Sequence, residues 1–237
     1  MIVLPRLHAG IDEPFPHPRH ALHEPNGLLA FGGDLSAERL LDAYRHGIFP
    51  WFNEGEPILW WSPDPRCVFR TDALHVSRRT RRSLASCGWT VTVDHAFDRV
   101  IHGCAGARAN EPGTWISPDM MQAYQTLHDR GDAHSVEIWD DVHLVGGIYG
   151  VAVGKLFCGE SMFSAVSGGS KAALIALCAL LSERGYPLLD AQVTNPHLVS
   201  MGAIEIPREA FLARVEALSA IDVPSGAWRD AKPSFLT

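Results

Sequence analysis

The sequence lacks the common marks of metal, disulfide and nucleotide chemistry. Its five cysteines, at 67, 87, 104, 158 and 178, are odd in number and form no CxxC pair. Neither a disulfide framework nor a thiolate metal site is signalled, and a reducing, cytoplasmic setting is expected. No HExxH helix and no serine nucleophile elbow occur. Ser167-Gly-Gly-Ser-Lys171 opens a helix but lacks the spacing of a nucleotide P-loop. The longest apolar run, Ala172 to Leu181, is too short to span a bilayer. The N-terminus has neither a basic stretch nor a long apolar one, so no signal peptide is expected. Positive charge is also scarce, with 20 Lys and Arg against 27 Asp and Glu and a net charge of −7. Any contact with nucleic acid must then be local rather than a product of the global field. His17, His20 and His23 are spaced by three, but they lie in proline-rich coil with no obvious fourth ligand.

What remains is a chain of 237 residues, 46% apolar, able to bury a core. Residues 1–35 show no periodicity and read as extended coil. Ser36 caps a helix that Gly47 ends, and Ile58–Trp61 is a short strand. Pro63 and Pro65 punctuate the chain, which places a boundary near 62, between a small domain 1–62 and a larger one 63–237. Beyond it the pattern predicts a strand 66–70, a basic helix 77–88 and a strand 89–93. Asp94 caps a helix reaching about Cys104, and Ser117-Pro118 opens another that Gly131 stops. Strands follow over 133–139, 143–153 and 155–161, then a loop 163–169, a helix 170–184, a strand 188–193, a helical turn 197–201, an amphipathic helix 207–220 and a loose tail. The order is α+β and matches the core of GNAT-like acyltransferases.

Four features suggest chemistry, and each has a structural alternative. Phe49, Trp51, Phe52, Trp60 and Trp61 crowd thirteen residues, as core or as a stacking surface for a nucleobase, with Trp51 the best candidate. Glu160 is a carboxylate among apolar neighbours at a strand end, either ion-paired or poised by burial. Asp190 and Gln192, two apart on a strand, share a face by simple alternation. They are either an internal hydrogen-bond pair or a proton-handling pair. Arg78, Arg79, Arg81 and Arg82 form the strongest basic cluster, a solvated face or a phosphate contact.

Longer motifs add a resemblance. Glu24-Pro-Asn-Gly-Leu-Leu-Ala-Phe-Gly-Gly-Asp34, Gly47-Ile-Phe-Pro-Trp-Phe52 and Ile58-Leu-Trp-Trp-Ser-Pro-Asp-Pro-Arg66 resemble the leucyl/phenylalanyl-tRNA–protein transferases. So do Gly113-Thr-Trp-Ile116, His134-Ser-Val-Glu137, Val145-Gly-Gly-Ile-Tyr-Gly150, Leu156-Phe-Cys-Gly-Glu-Ser-Met-Phe-Ser164, Leu189-Asp-Ala-Gln192 and Gly202-Ala-Ile-Glu-Ile-Pro-Arg208. The resemblance implies a small N-terminal domain before a GNAT-like one. It implies transfer of leucine or phenylalanine from leucyl-tRNA or phenylalanyl-tRNA to proteins beginning with Arg or Lys, marking them for degradation. It implies no cofactor and no metal, no membrane partner, and a monomer is expected. Trp51 and Trp115 would hold the 3′-terminal adenosine, and Ile148, Phe157, Met162, Leu177 and Leu181 the aminoacyl side chain. Asn195 joins the substrate-binding set, and Arg78, Arg79, Arg81 and Arg82 would track the acceptor stem. Glu160 would attract the cationic acceptor, while Asp190 polarises Gln192 to orient the amine. Some relatives carry Phe in place of Leu177 and Leu181 and Met in place of Ile148, which reshapes the pocket. The rivals are an acetyl-CoA-dependent GNAT acetyltransferase and a non-catalytic RNA-binding adaptor. The missing pyrophosphate loop speaks against the first.

Overall fold

A computed structural model describes residues 4–107, 115–224, 226 and 228. The chain begins with β1 (Arg6–Leu7) and β2 (Leu28–Gly32), then α1 (Ala37–Arg45), β3 (Phe49–Pro50) and β4 (Leu59–Trp61). The four strands form one sheet in the order β1-β2-β4-β3. Residues 1–35 are thus not wholly coil. The run Leu28-Leu-Ala-Phe31 is a strand signal that the surrounding prolines and glycines obscure. Ser36 occupies the cap position of α1 without a side-chain cap bond. Asp34 instead accepts from the Ser36 backbone N–H at 3.1 Å and its hydroxyl at 2.6 Å.

The second sheet uses residues 66–206. Its elements begin with β5 (Arg66–Arg70), α2 (Arg78–Ala85), β6 (Thr90–Val93), α3 (Phe97–Ala107) and α4 (Pro118–Arg130). Next come β7 (Ala133–Asp140), β8 (His143–Val153), β9 (Leu156–Ser164) and α5 (Gly169–Glu183). β10 (Leu188–Gln192), α6 (Pro196–Ser200), β11 (Ile204–Ile206) and α7 (Arg208–Ser219) complete the order. The strands lie in the order β11-β5-β10-β9-β8-β7-β6. Ser117 accepts from the Met120 N–H and Gly131 closes α4 in the left-handed conformation, as the cap residues predict. Asp94 does not cap α3. It sits at φ 57° and accepts from the Ser135 N–H and the His134 ring. Glu137 takes the Ala96 N–H at 3.4 Å. β9 runs three residues beyond the expected Ser161, and β11 was hidden in the short run Ile204-Glu-Ile206.

One face of this sheet packs α5 against Ile148, Phe157 and Leu189. The other packs Tyr149, Val151 and Cys158 with Tyr124 and Phe211, with Tyr44 of α1 and with Trp60 of the first sheet, in one continuous core. The tail is not wholly loose, because Trp228 is buried and stacks on His134 at 4.1 Å.

Two irregularities break the regular alternation. In β9 the pairing with β8 jumps from Tyr149↔Ser161 to Gly150↔Gly159, leaving Glu160 as an extra residue. In β10 the pairing with β5 jumps from Asp190↔Val68 to Gln192↔Cys67. β9 and β10 run parallel and pair only as far as Asp190↔Cys158. Past that rung each bulges and they part. A Cβ at Gly150, opposite the first bulge, would lie 2.2 Å from the Cys158 carbonyl oxygen. Gly150→Ala should therefore cost about 1–3 kcal/mol or more in urea unfolding. Wild-type stability in that variant would show that the bulge does not need the glycine.

Candidate active site

A cavity of about 690 Å³ opens where β9 and β10 separate. One end is apolar, lined by Phe69, Ile148, Met162, Leu174, Leu189 and Leu198. Its mouth carries Trp51, Trp61 and Trp115, and its floor carries Glu160, Asp190 and Gln192. Trp51 is 44% exposed, and its ring leans on Trp61 with centroids 5.8 Å apart. The Trp61 indole N–H donates to the Trp51 carbonyl at 2.7 Å, which fixes the turn that presents the exposed ring. Asn195 also lines the cavity, and its side-chain oxygen caps α6 by accepting from the Leu198 N–H.

Glu160 is the centre of the polar end. Strict alternation from Met162 would turn it toward the apolar α5 face, and the bulge turns it to the other. There Tyr44 from α1 donates to its Oε1 at 2.7 Å, and Tyr124 from α4 donates to its Oε2 at 2.7 Å. The two phenol oxygens are themselves 2.6 Å apart. The Gln192 side-chain N–H donates to Glu160 Oε1 at 2.9 Å. Burial pushes the Glu160 carboxyl up to about 7, partly offset by these donors, with nearby Asp190 adding to the rise. The same burial and the Glu160 charge hold both tyrosines well above their ordinary value, so they remain donors.

Asp190 is 1% exposed and fully engaged. Arg66 from β5 grips it in a fork, Nε to Oδ1 at 2.8 Å and Nη2 to Oδ2 at 2.7 Å. The Gln192 backbone N–H donates to Oδ1 at 2.9 Å. This revises the expected relation within the pair. Asp190 holds the backbone of Gln192, and Glu160 holds its side-chain amide. The alternation argument fails because the bulge puts Gln192 at φ 62°.

Three residues expected in the pocket lie in the core instead. Phe157 is 1% exposed and its ring tilts against Trp228 at 5.4 Å. Leu177 and Leu181 share a helix face with Leu174, but at about 1.5 Å rise per residue they lie deeper along α5, and only Leu174 reaches the cavity. Phe69, Leu189 and Leu198 were missed. Their signal was the strand alternation Cys67-Val-Phe69 and the capped turn after Asn195. Arg78, Arg79, Arg81 and Arg82 lie apart on α2, exposed and without an ion pair to any described residue. Cations in the first turn face the positive end of the helix dipole, so the cluster gains nothing from the helix that carries it.

A second hollow of about 660 Å³ lies among His128, Asp132, His134 and Trp228 and contains none of the expected site residues. Among the described residues no three His, Cys, Asp or Glu converge as metal ligands, and no helix is long and apolar enough to cross a membrane.

An apolar slot beside ringed walls and a buried acid network, with no serine elbow, fits the handling of an acyl group between two substrates. Comparison with known proteins agrees. The family model described as leucyl/phenylalanyl-tRNA protein transferase matches residues 68–216, and that of its N-terminal domain matches residues 33–64. The chain is 59% identical over 216 residues to a leucyl/phenylalanyl-tRNA–protein transferase of Xanthomonas campestris pv. campestris, covering 91% of this chain and 87% of the relative. It is 58% identical over 206 residues to that of Xylella fastidiosa, covering 86% and 85%. Solved structures give distant likenesses. A conserved protein of unknown function from Bacteroides thetaiotaomicron has TM-score 0.47 and 8% identity, over 61% of this chain and 57% of that one. L-PGS from Bacillus licheniformis has TM-score 0.41 and 14% identity, over 70% and 53%.

The protein is an aminoacyltransferase. It belongs to the leucyl/phenylalanyl-tRNA–protein transferase family and moves leucine or phenylalanine from aminoacyl-tRNA to protein acceptors, a step that serves N-degron degradation.

The raised Glu160 value has a sign that can be checked. A carboxyl whose folded value lies above its unfolded one contributes fully below about pH 4.5, and that contribution is lost as pH rises through about 7. Glu160→Gln should therefore melt higher than the wild type at pH 8, with the gap closing toward pH 5. A gap that widens on acidification would contradict the assignment.

Proposed function

We propose that the apolar end of the cavity takes the leucyl or phenylalanyl side chain and that Trp51 and Trp115 flank the 3′-terminal adenosine. Glu160 draws in the cationic Arg or Lys at the acceptor's N-terminus. The basic face of α2 meets the acceptor stem. The observation that carries the reading is the joining of an apolar slot and the buried Glu160 network in one cavity. GNAT-like architecture, a division near residue 62, a monomeric state and a cytoplasmic setting belong to the same reading.

The chemistry needs orientation more than activation. The ester is already reactive, and a free α-amine has a pKa of about 7.7–8.0, so part of it is neutral near pH 7. Its nitrogen attacks the ester carbonyl, the carbon–oxygen bond to the ribose breaks, and the amine's proton replaces the lost bond on the ribose oxygen. Gln192 spends its amide N–H on Glu160, and its carbonyl oxygen has no partner among the described residues. That oxygen is placed to accept from the incoming amine. Holding amine and ester together supplies several kcal/mol. Asp190, enclosed by Arg66 and the Gln192 N–H, positions the amide and does not touch the substrates.

Leucyl-tRNA mixed with the protein and an Arg-initial peptide should give a peptide one leucine heavier, and an Ala-initial peptide should react far less. Equal transfer to both would remove Glu160's assigned role. The kcat/KM for the Arg-initial peptide should climb with pH through about 7 as Glu160 loses its proton. In Glu160→Gln only the limb of the amine, at about 8, should remain. Replacing Arg79 and Arg82 by Ala should raise KM for leucyl-tRNA and flatten its salt dependence while saturated kcat stays the same. A KM indifferent to both substitutions would free α2 from any tRNA contact.

A further inference from the structure

We propose that Arg66 is a positioning residue for the transfer reaction, acting on the substrates only through Asp190 and Gln192. The inference rests on the reading of the cavity given above. Arg66 is 1% exposed although it carries a full charge, and nothing in a hydrophobic core requires a guanidinium there. Its fork closes on both Asp190 oxygens. Its guanidinium lies over two rings, Phe49 at 4.8 Å and Phe211 at 4.5 Å. Phe49 belongs to β3, two residues before Trp51, and Phe211 to α7. The guanidinium is therefore fixed by an element of each sheet and by the last helix.

That fixation is passed on in two steps. Asp190 Oδ1 accepts the Gln192 N–H at 2.9 Å, the bond that holds Gln192 at φ 62°. The left-handed conformation is strained for a residue with a side chain, and it is what swings the Gln192 amide back over β9 to Glu160 at 2.9 Å. A planar fork aligns a carboxylate in a way that a lysine point charge cannot. Arg66 thus sets where the Gln192 carbonyl oxygen stands relative to the ester.

The test is a double-substitution cycle on the full chain. Arg66→Lys, Gln192→Ala and the pair are compared for kcat and KM with leucyl-tRNA and an Arg-initial peptide, with melting curves to confirm folding. Arg66→Lys should lower kcat by about 10-fold or more, as loss of a charge-assisted bond would, with KM for leucyl-tRNA little changed. In the Gln192→Ala background it should cost almost nothing further, because coupled residues do not add. A loss by the same factor in both backgrounds, a loss confined to KM, or an unchanged kcat overturns the proposal. If Arg66→Lys does not fold, Asp190→Asn breaks the same chain from its other end with its shape kept, and its cycle with Gln192→Ala decides by the same criteria. A wild type that transfers nothing to the peptide would instead overturn the functional reading.

Discussion

Parallel strands that stop pairing inside a protein leave their facing N–H and C=O groups without a ladder, and buried backbone groups cannot stay unpaired cheaply. β9 and β10 meet this constraint just past Asp190 and Cys158. At the gap one backbone N–H is taken by a side chain, and a second side-chain bond bridges the two strands. Asp190 takes the Gln192 N–H, and Glu160 takes the Gln192 amide. The groups that make the split affordable are the same groups that line it. The site is therefore the way this sheet resolves its own irregularity.

The electrostatics follow from where each charge is placed. A net charge of −7 gives a polyanionic RNA no general attraction. Positive charge is concentrated on α2, while Arg66, beside the site, is enclosed by Asp190 and two rings and offers nothing to a ligand. The cavity thus joins an acidic floor to an apolar end. Glu160, raised to about 7 by burial, changes charge just below the range in which an α-amine becomes a nucleophile. The two conditions overlap above neutrality, where the carboxylate is charged and a free α-amine is increasingly neutral.

Much of this was legible in the residues. Cap signals located α4, because Ser117-Pro118 and Gly131 act locally. Glu160, Asp190 and Gln192 stood out because polar groups amid apolar strands need partners. The partners themselves were not legible. Arg66 lies 124 residues from Asp190 and Tyr44 lies 116 from Glu160, and no local pattern links them. The bulges were hidden for another reason. Alternation assumes one residue per rung, so Gln192 was assigned to the face of Asp190, which an extra residue then changed. The same limit misplaced Leu177 and Leu181, since periodicity gives the face of α5 but not how far along it the cavity extends.

The two sheets are separate as hydrogen-bonded units and inseparable as a site. The first 62 residues supply Tyr44 to Glu160, Phe49 to the face of Arg66, and Trp51 to the mouth. The same stretch shares one apolar core with Tyr124 and Phe211. A displacement of α1 relative to α4 would pull the two phenols, 2.6 Å apart, off a buried carboxylate that then has too few donors. The cost of leaving such a group unsatisfied exceeds what an ordinary surface contact returns. The seam between the sheets is consequently held from the cavity side, by the buried Glu160 and its donors.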